Sequence, residues 1–222
     1  MNPKWAIVLA EFVAGVAAHD QLPAPALGEV AFAGRSNVGK SSLLGVMLER
    51  KGLVRTGSTP GTTRQLNLFH VKANDGLELT LVDLPGYGFA KRAKHEKSRW
   101  GALIEGYLSK RVTLRAVVLL IDVRRGVEQE ERDLVEFLKS VQPLANRPAV
   151  DVIAVVTKID KLAGARRKPA VEKIGRELGC RVYGFSAETG DGKEELWGAI
   201  RARVVGSSPA GQEVPTQERE VE

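Results

Sequence analysis

"GRSNVGKSS", residues 34–42, decides the fold of this 222-residue chain. It fits the pattern G-x-x-x-x-G-K-[ST]. An apolar run, "EVAFAG" (29–34), leads into it and a helical pattern (40–50) leads out. That is the strand–loop–helix setting in which such a loop wraps a phosphate. Gly34 and Gly39 let the backbone through Arg35, Ser36, Asn37 and Val38 approach an anion and turn its N–H groups inward. The helix opening near Lys40 adds the positive end of its dipole. Lys40 is placed to reach the β and γ phosphates, and Ser41, followed by Ser42, to offer a hydroxyl to Mg²⁺. The motif predicts a nucleoside triphosphate without naming its base.

Outward from this loop, apolar β-rich runs recur at 63–71, 77–84, 114–123, 151–160 and 181–187. Helical patterns lie between most of them, at about 95–109, 127–140, 167–178 and 193–204. Strands alternating with helices predict an α/β fold, a three-layer αβα sandwich around a mostly parallel sheet. Six strands are expected. One of them is antiparallel at the sheet edge, because "KANDG" (72–76) reads as a hairpin turn between 63–71 and 77–84.

Strand ends in a parallel sheet converge on the ligand crevice, and three further motifs fall there. "LVDLPGYGFAKR" (81–92) ends its strand at Asp83, 42 residues after Ser41. Alone, Asp-Leu-Pro-Gly reads as a plain turn. Beside the loop at 34–42, Asp83 can hold Mg²⁺ through a water and Gly86 can offer its N–H to a γ-phosphate, with Leu84 and Pro85 between them. "TKID" (157–160) ends another strand, and Asp160 can accept hydrogen bonds from guanine N1–H and the N2 amino group. Adenine would leave that carboxylate unpaired. Lys158 can lay its aliphatic stem over the base, with Thr157 and Ile159 on either side of it. "FSAETG" (185–190) ends the last strand, where a backbone N–H near Ala187 can meet guanine O6. "TGSTPGTTRQLN" (56–67) is a loop from which a threonine can close on Mg²⁺ when a γ-phosphate is present, as a switch does.

Composition bounds the remainder. The chain is 43% hydrophobic and 27% charged, with net charge +6 and pI about 9.5, a balance that suits a polyanionic partner. One cysteine, Cys180, excludes an internal disulfide and suits a reducing cytosol. "KWAIVLAEFVAGVAAHD" (4–20) carries Glu11 and is too short to span a membrane; it reads as a strand or helix packed on the domain. "GSSPAGQEVPTQEREVE" (206–222) has four glutamates and one arginine and reads as a disordered acidic tail. The expected organisation is an N-terminal extension (1–26), a nucleotide-binding domain (27–205) and this tail.

Together "GRSNVGKSSLL", "TPGTTRQLNLF", "DLPGYGFAKR", "WGALIEGYL" and "TKIDKL" resemble the EngB (YsxC, YihA) family of small bacterial ribosome-assembly GTPases, from about Glu29 to Ile200. The resemblance implies a Ras-like GTPase domain that binds GTP and GDP with Mg²⁺. It implies that Thr63, after Gly61 and Thr62, is the switch threonine and shares the metal with Ser41 and Asp83. Residues 157–160 and Phe185, Ser186 and Ala187 would bind guanine. The implied partner is a large ribosomal subunit precursor, with a role in cell division and septation. A monomer in the cytoplasm, without stable membrane association, is expected. The alternative is a regulatory GTPase that binds a division or membrane partner, with hydrolysis incidental. Thr62, Arg64 and Gly45 depart from the family pattern, away from the implied metal and base contacts.

Many relatives orient the attacking water with a glutamine after the second-switch glycine; here that residue is Tyr87. A phenol titrates far above neutrality, so hydrolysis by the isolated protein is expected to be slow, resting on Lys40, Thr63, Gly86 and Asn37. Asn37 stands where potassium-dependent relatives carry an asparagine ligand, so K⁺ near it is expected to supply charge to the reaction. Beyond the second switch, residues 87–115 hold Lys91, Arg92, Lys94, Lys97, Arg99, Lys110, Arg111 and Arg115 against Glu96 and Glu105. Such a run suits contact with RNA phosphates.

Overall fold

A computed structural model describes residues 6–50, 52–54, 65–86, 94–141 and 149–205. Gly61, Thr62, Thr63, the stretch 87–93 and the tail 206–222 lie outside the described residues.

The elements in chain order are β1 (Ile7–Val16), β2 (Glu29–Gly34), α1 (Lys40–Leu48), β3 (Leu66–Ala73), β4 (Glu78–Asp83), α2 (Lys94–Lys110), β5 (Leu114–Asp122), α3 (Gln129–Ser140), β6 (Asp151–Thr157), α4 (Gly164–Leu178), β7 (Val182–Phe185) and α5 (Lys193–Val205). Their strands form one sheet in the order β1-β3-β4-β2-β5-β6-β7. The αβα architecture is as expected, with two corrections to the sheet. It has seven strands rather than six, because the N-terminal apolar run forms β1. The antiparallel strand, β3, is not at the edge: it pairs antiparallel with β4 on one side and β1 on the other. An apolar strand with an unpaired edge is unfavourable, and β1 covers that edge of β3.

Alternation along β2 shows how the layers form. Val30 and Phe32 face Leu43, Leu44 and Met47 of α1 and Trp197 and Ile200 of α5. Ala31 and Ala33 face Leu103, Tyr107 and Leu108 of α2. Further along the second face, Leu119, Ile121, Ala154 and Val156 pack on Ile174 and Leu178 of α4. β5 is apolar on both faces because helices cover both; a buried leucine there contributes roughly 2 kcal/mol by area.

At the N-terminal end of β2, buried Glu29 accepts hydrogen bonds from Tyr107 Oη (2.7 Å), Arg111 Nε (2.7 Å) and Thr113 Oγ1 (2.8 Å). Burial, and then the charge of Glu29, push the Tyr107 phenol well above its ordinary range. Arg111 also donates to the Pro23 carbonyl (2.8 Å). Together these contacts tie the end of α2 and the segment after β1 to the base of the sheet. Just upstream, His19 lies against α2 at Gly106, where an added Cβ would sit 2.8 Å from the imidazole Cδ2.

Candidate nucleotide site

Gly34, Asp83, Asp122, Thr157 and Phe185 are the last residues of β2, β4, β5, β6 and β7, so one edge of the sheet gathers all of them. The loop between Gly34 and Lys40 is shaped by two left-handed residues, Asn37 (φ 65°) and Gly39 (φ 103°), and by a turn in which Val38 N–H donates to Arg35 O (3.2 Å). Asparagine and glycine are the residues that tolerate this backbone region best. Lys40 then opens α1.

The buried Lys40 ammonium pairs with the buried Asp83 carboxylate, which brings together two of the expected phosphate-and-metal residues. The chain after Asp83 passes hard against the phosphate loop: an added Cβ on Gly86 would lie 3.0 Å from Ser36 Oγ and 3.1 Å from Ser36 N. A side chain here would force the phosphate loop to shift by a few tenths of an ångström. The donor set fits a hard cation, since Ser41 supplies a hydroxyl and Asp83 a carboxylate. Among the described residues no three His, Cys, Asp or Glu side chains cluster as a metal site. A cation held here would take most of its ligands from phosphate and water, the habit of Mg²⁺. Ser41 and Asp83 would hold it, and the ion would offset charge on the transferred phosphoryl group.

From β6, Thr157 Oγ1 donates to Val38 O (2.7 Å), fastening the phosphate loop to the neighbouring strand end. Lys158 is itself left-handed (φ 60°); its Nζ reaches Asn37 O (2.6 Å) and Asp122 Oδ2 (2.8 Å). Its stem passes over Gly39, with Cε 3.6 Å from where a Cβ would be. Ile159 is buried beneath. Asp160 Oδ1 accepts from Ser186 Oγ (2.7 Å), whose oxygen accepts in turn from Glu188 N–H and Thr189 N–H (both 3.2 Å). That hydroxyl, more than partial burial opposes it, holds the Asp160 carboxyl below its ordinary value. The result is a fixed, ionised acceptor beside Ser186 and Ala187. It can take two N–H donors from a base edge.

Two functional side chains escaped the sequence reading. Asp122 ends a central strand in "LLIDVRR", and that position was the available signal. Burial disfavours its charge, yet hydrogen bonds from Arg124 and Lys158 and the Arg124 N–H outweigh burial and hold its carboxyl well below the usual carboxylate range. It positions Lys158. Arg35, expected only as loop backbone, pairs through its guanidinium with Glu128 and Glu130; no local motif signals those partners.

A phosphate loop, a strand-ending aspartate and a Thr-Lys-x-Asp carboxylate on one sheet edge define a guanine-nucleotide-binding P-loop protein. Residues 29–158 match the family described as 50S ribosome-binding GTPase. Probable GTP-binding protein EngB of Exiguobacterium sp. is 43% identical over 199 residues, covering 88% of this chain and 95% of that protein. That of Geobacter metallireducens is 44% identical over 207 residues, covering 92% and 94%. The chain belongs to the EngB family of GTP-binding proteins, and it is a GTPase. The fold agrees. A crystal structure of a probable GTP-binding protein EngB matches with TM-score 0.61 at 23% identity, over 81% of this chain and all of that one. Era in complex with MgGDPNP and nucleotides 1506–1542 of 16S ribosomal RNA matches at 0.64 and 24% identity, over 87% of this chain and 60% of that one. Among the described residues no helix is long and apolar enough to cross a membrane.

Proposed function

We propose that this GTPase is a nucleotide-driven switch in assembly of the large ribosomal subunit, needed through that role for normal cell division and septation. The observation that carries the reading is the chain path that leads from the site directly into a stretch of basic sequence. Asp83 and Gly86 sit against the phosphate loop, and the chain then runs through the basic stretch 87–115 that contains α2. Arg111 is a correction to that stretch as an RNA contact, because it is buried and its charge is committed to Glu29. The family description names 50S binding, and Era, of like fold, is bound to ribosomal RNA in its complex; both support a ribosomal partner.

In this reading, residues 27–205 form the GTPase domain of a cytoplasmic monomer, and the N-terminal extension (1–26) packs on it by adding β1 to its sheet. Gly34 to Ser42 cradle the phosphates. Ser41, Asp83 and, in the presence of a γ-phosphate, Thr63 hold Mg²⁺, with Gly61 and Thr62 contacting the nucleotide beside it. Asp83 to Gly86 sense the γ-phosphate. Thr157 to Asp160 and Phe185 to Ala187 hold guanine, with the stem of Lys158 on the base. Phosphoryl transfer needs positioning and charge stabilisation. Lys40 and the N–H groups of the loop supply both, while Tyr87 offers no base at neutral pH. Hydrolysis is therefore slow until a partner or a cation assists.

The test is sedimentation of the purified protein with large-subunit precursors in GTP, in GDP and without nucleotide. Binding that depends on GTP and weakens as salt is raised is expected; equal binding in all three states removes the switch. K⁺ near Asn37 is expected to raise turnover in KCl above that in NaCl at equal ionic strength, and equal rates refute a role for it.

A further inference from the structure

We infer that Glu128 and Glu130, at the start of α3, are positioning residues for the phosphate loop and act through Arg35. The loop is gripped at its far shoulder by β6 and the residue after it, through Thr157 on Val38 O and Lys158 on Asn37 O. Those bonds leave its near shoulder, where the chain departs from Gly34. Arg35 stands there, and its carbonyl closes the turn to Val38. Its guanidinium pairs with Glu128 and, at 2.7 Å, with Glu130 Oε2, residues 93 and 95 positions onward. Glu128 is itself held, since its N–H donates to Glu131 Oε2 (2.9 Å) and Arg125 Nη1 lies 4.0 Å from its carboxylate. The loop and the β5–α3 connection thus meet across a shared depression lined by Ser36, Asn37, Asp122 and Gly126.

An arginine suits this role because its planar fork can serve two carboxylates and stays charged. The pairs are half-exposed, at 20% for Arg35 against 35% and 43% for the glutamates. Ion pairs so exposed contribute little to global stability. Their effect falls on geometry: N–H groups that cradle a phosphate work only when held in place, and a displacement near 1 Å costs up to about 100-fold in rate.

The experiment compares wild type with Glu128→Gln/Glu130→Gln and with Arg35→Lys in the full chain. The readouts are kcat/KM for GTP, the Kd of GDP by titration, the Kd of guanosine by ligand-observed NMR, and the melting temperature. Guanosine engages the base pocket but not the phosphate loop. The expected result is a loss of about 10- to 100-fold in kcat/KM and a weaker GDP Kd, with guanosine binding and melting temperature unchanged. Wild-type kcat/KM and GDP affinity overturn the inference. So does a loss in which guanosine binding and melting temperature fall in step, because the pairs would then be holding the fold and not the loop.

Discussion

Asp160 shows how much of this site rests on one carboxylate. Its Oδ1 is fixed by Ser186, a fully buried residue, whose hydroxyl favours the charged form and lowers the carboxyl further below its ordinary value. Asp160→Asn replaces an acceptor by a donor. It should shift preference from GTP towards xanthosine triphosphate, and competition binding with the two nucleotides checks this; unchanged GTP preference refutes the base assignment. The sign of the pH effect follows from linkage. A carboxyl depressed in the folded state contributes stability above its unfolded value, about 3.9, and loses it as pH falls through the lower folded value. Asp160 therefore stays charged throughout the neutral range. Its motif was legible because Thr-Lys-x-Asp has a fixed spacing. Asp122 and Glu128 were not, because what defines them is a partner distant in sequence, Lys158 for one and Arg35 for the other.

Among the elements, α2 is the one whose surroundings matter most for a switch. Its C-terminal end is tied to Glu29 through Tyr107 and Arg111, and the adjoining turn lies under His19 at Gly106. Replacing an exposed helical glycine by alanine stabilises by up to ~1 kcal/mol. Gly106→Ala should gain less, because its Cβ would lie 2.8 Å from His19 Cδ2. Gly106→Ala/His19→Ala should recover the gain, and denaturant midpoints of the four proteins in a double-mutant cycle check it. The helix itself was legible from its period, to within one residue at each end. The seating of the N-terminal segment on it was not, since "KWAIVLAEFVAG" carries neither a clean period of two nor one of 3.6.

For the whole molecule, chemistry is divided between the two ends of the sheet. The C-terminal edge of the strands gathers the nucleotide residues, while the N-terminal end holds a closed cluster around Glu29. The predicted fold class was correct because alternation of apolar runs and helical patterns is a local signal repeated along the chain. The strand order at the far edge was missed because pairing is non-local. Charge is also a whole-molecule property. With net charge +6 and a basic run beyond Asp83, the proposed binding to ribosomal particles should show a logarithm of affinity that falls linearly with the logarithm of salt concentration, with a slope set by the number of phosphates contacted. Measuring the sedimented fraction across a salt series gives that slope, and a flat line rules out phosphate contact.

The pairing of β1 with β3 also sets an order of events during synthesis. Ile7 meets Ala73 and Val16 meets Leu66, so the first strand to be made must wait for its partner until more than 50 further residues have been added. Contacts this distant are slow to form. Until then Val8, Phe12 and Val13, which remain about half exposed even in the finished fold, have no sheet beside them. In a nascent chain this apolar stretch is therefore exposed before its sheet partner exists, the condition that favours transient chaperone contact.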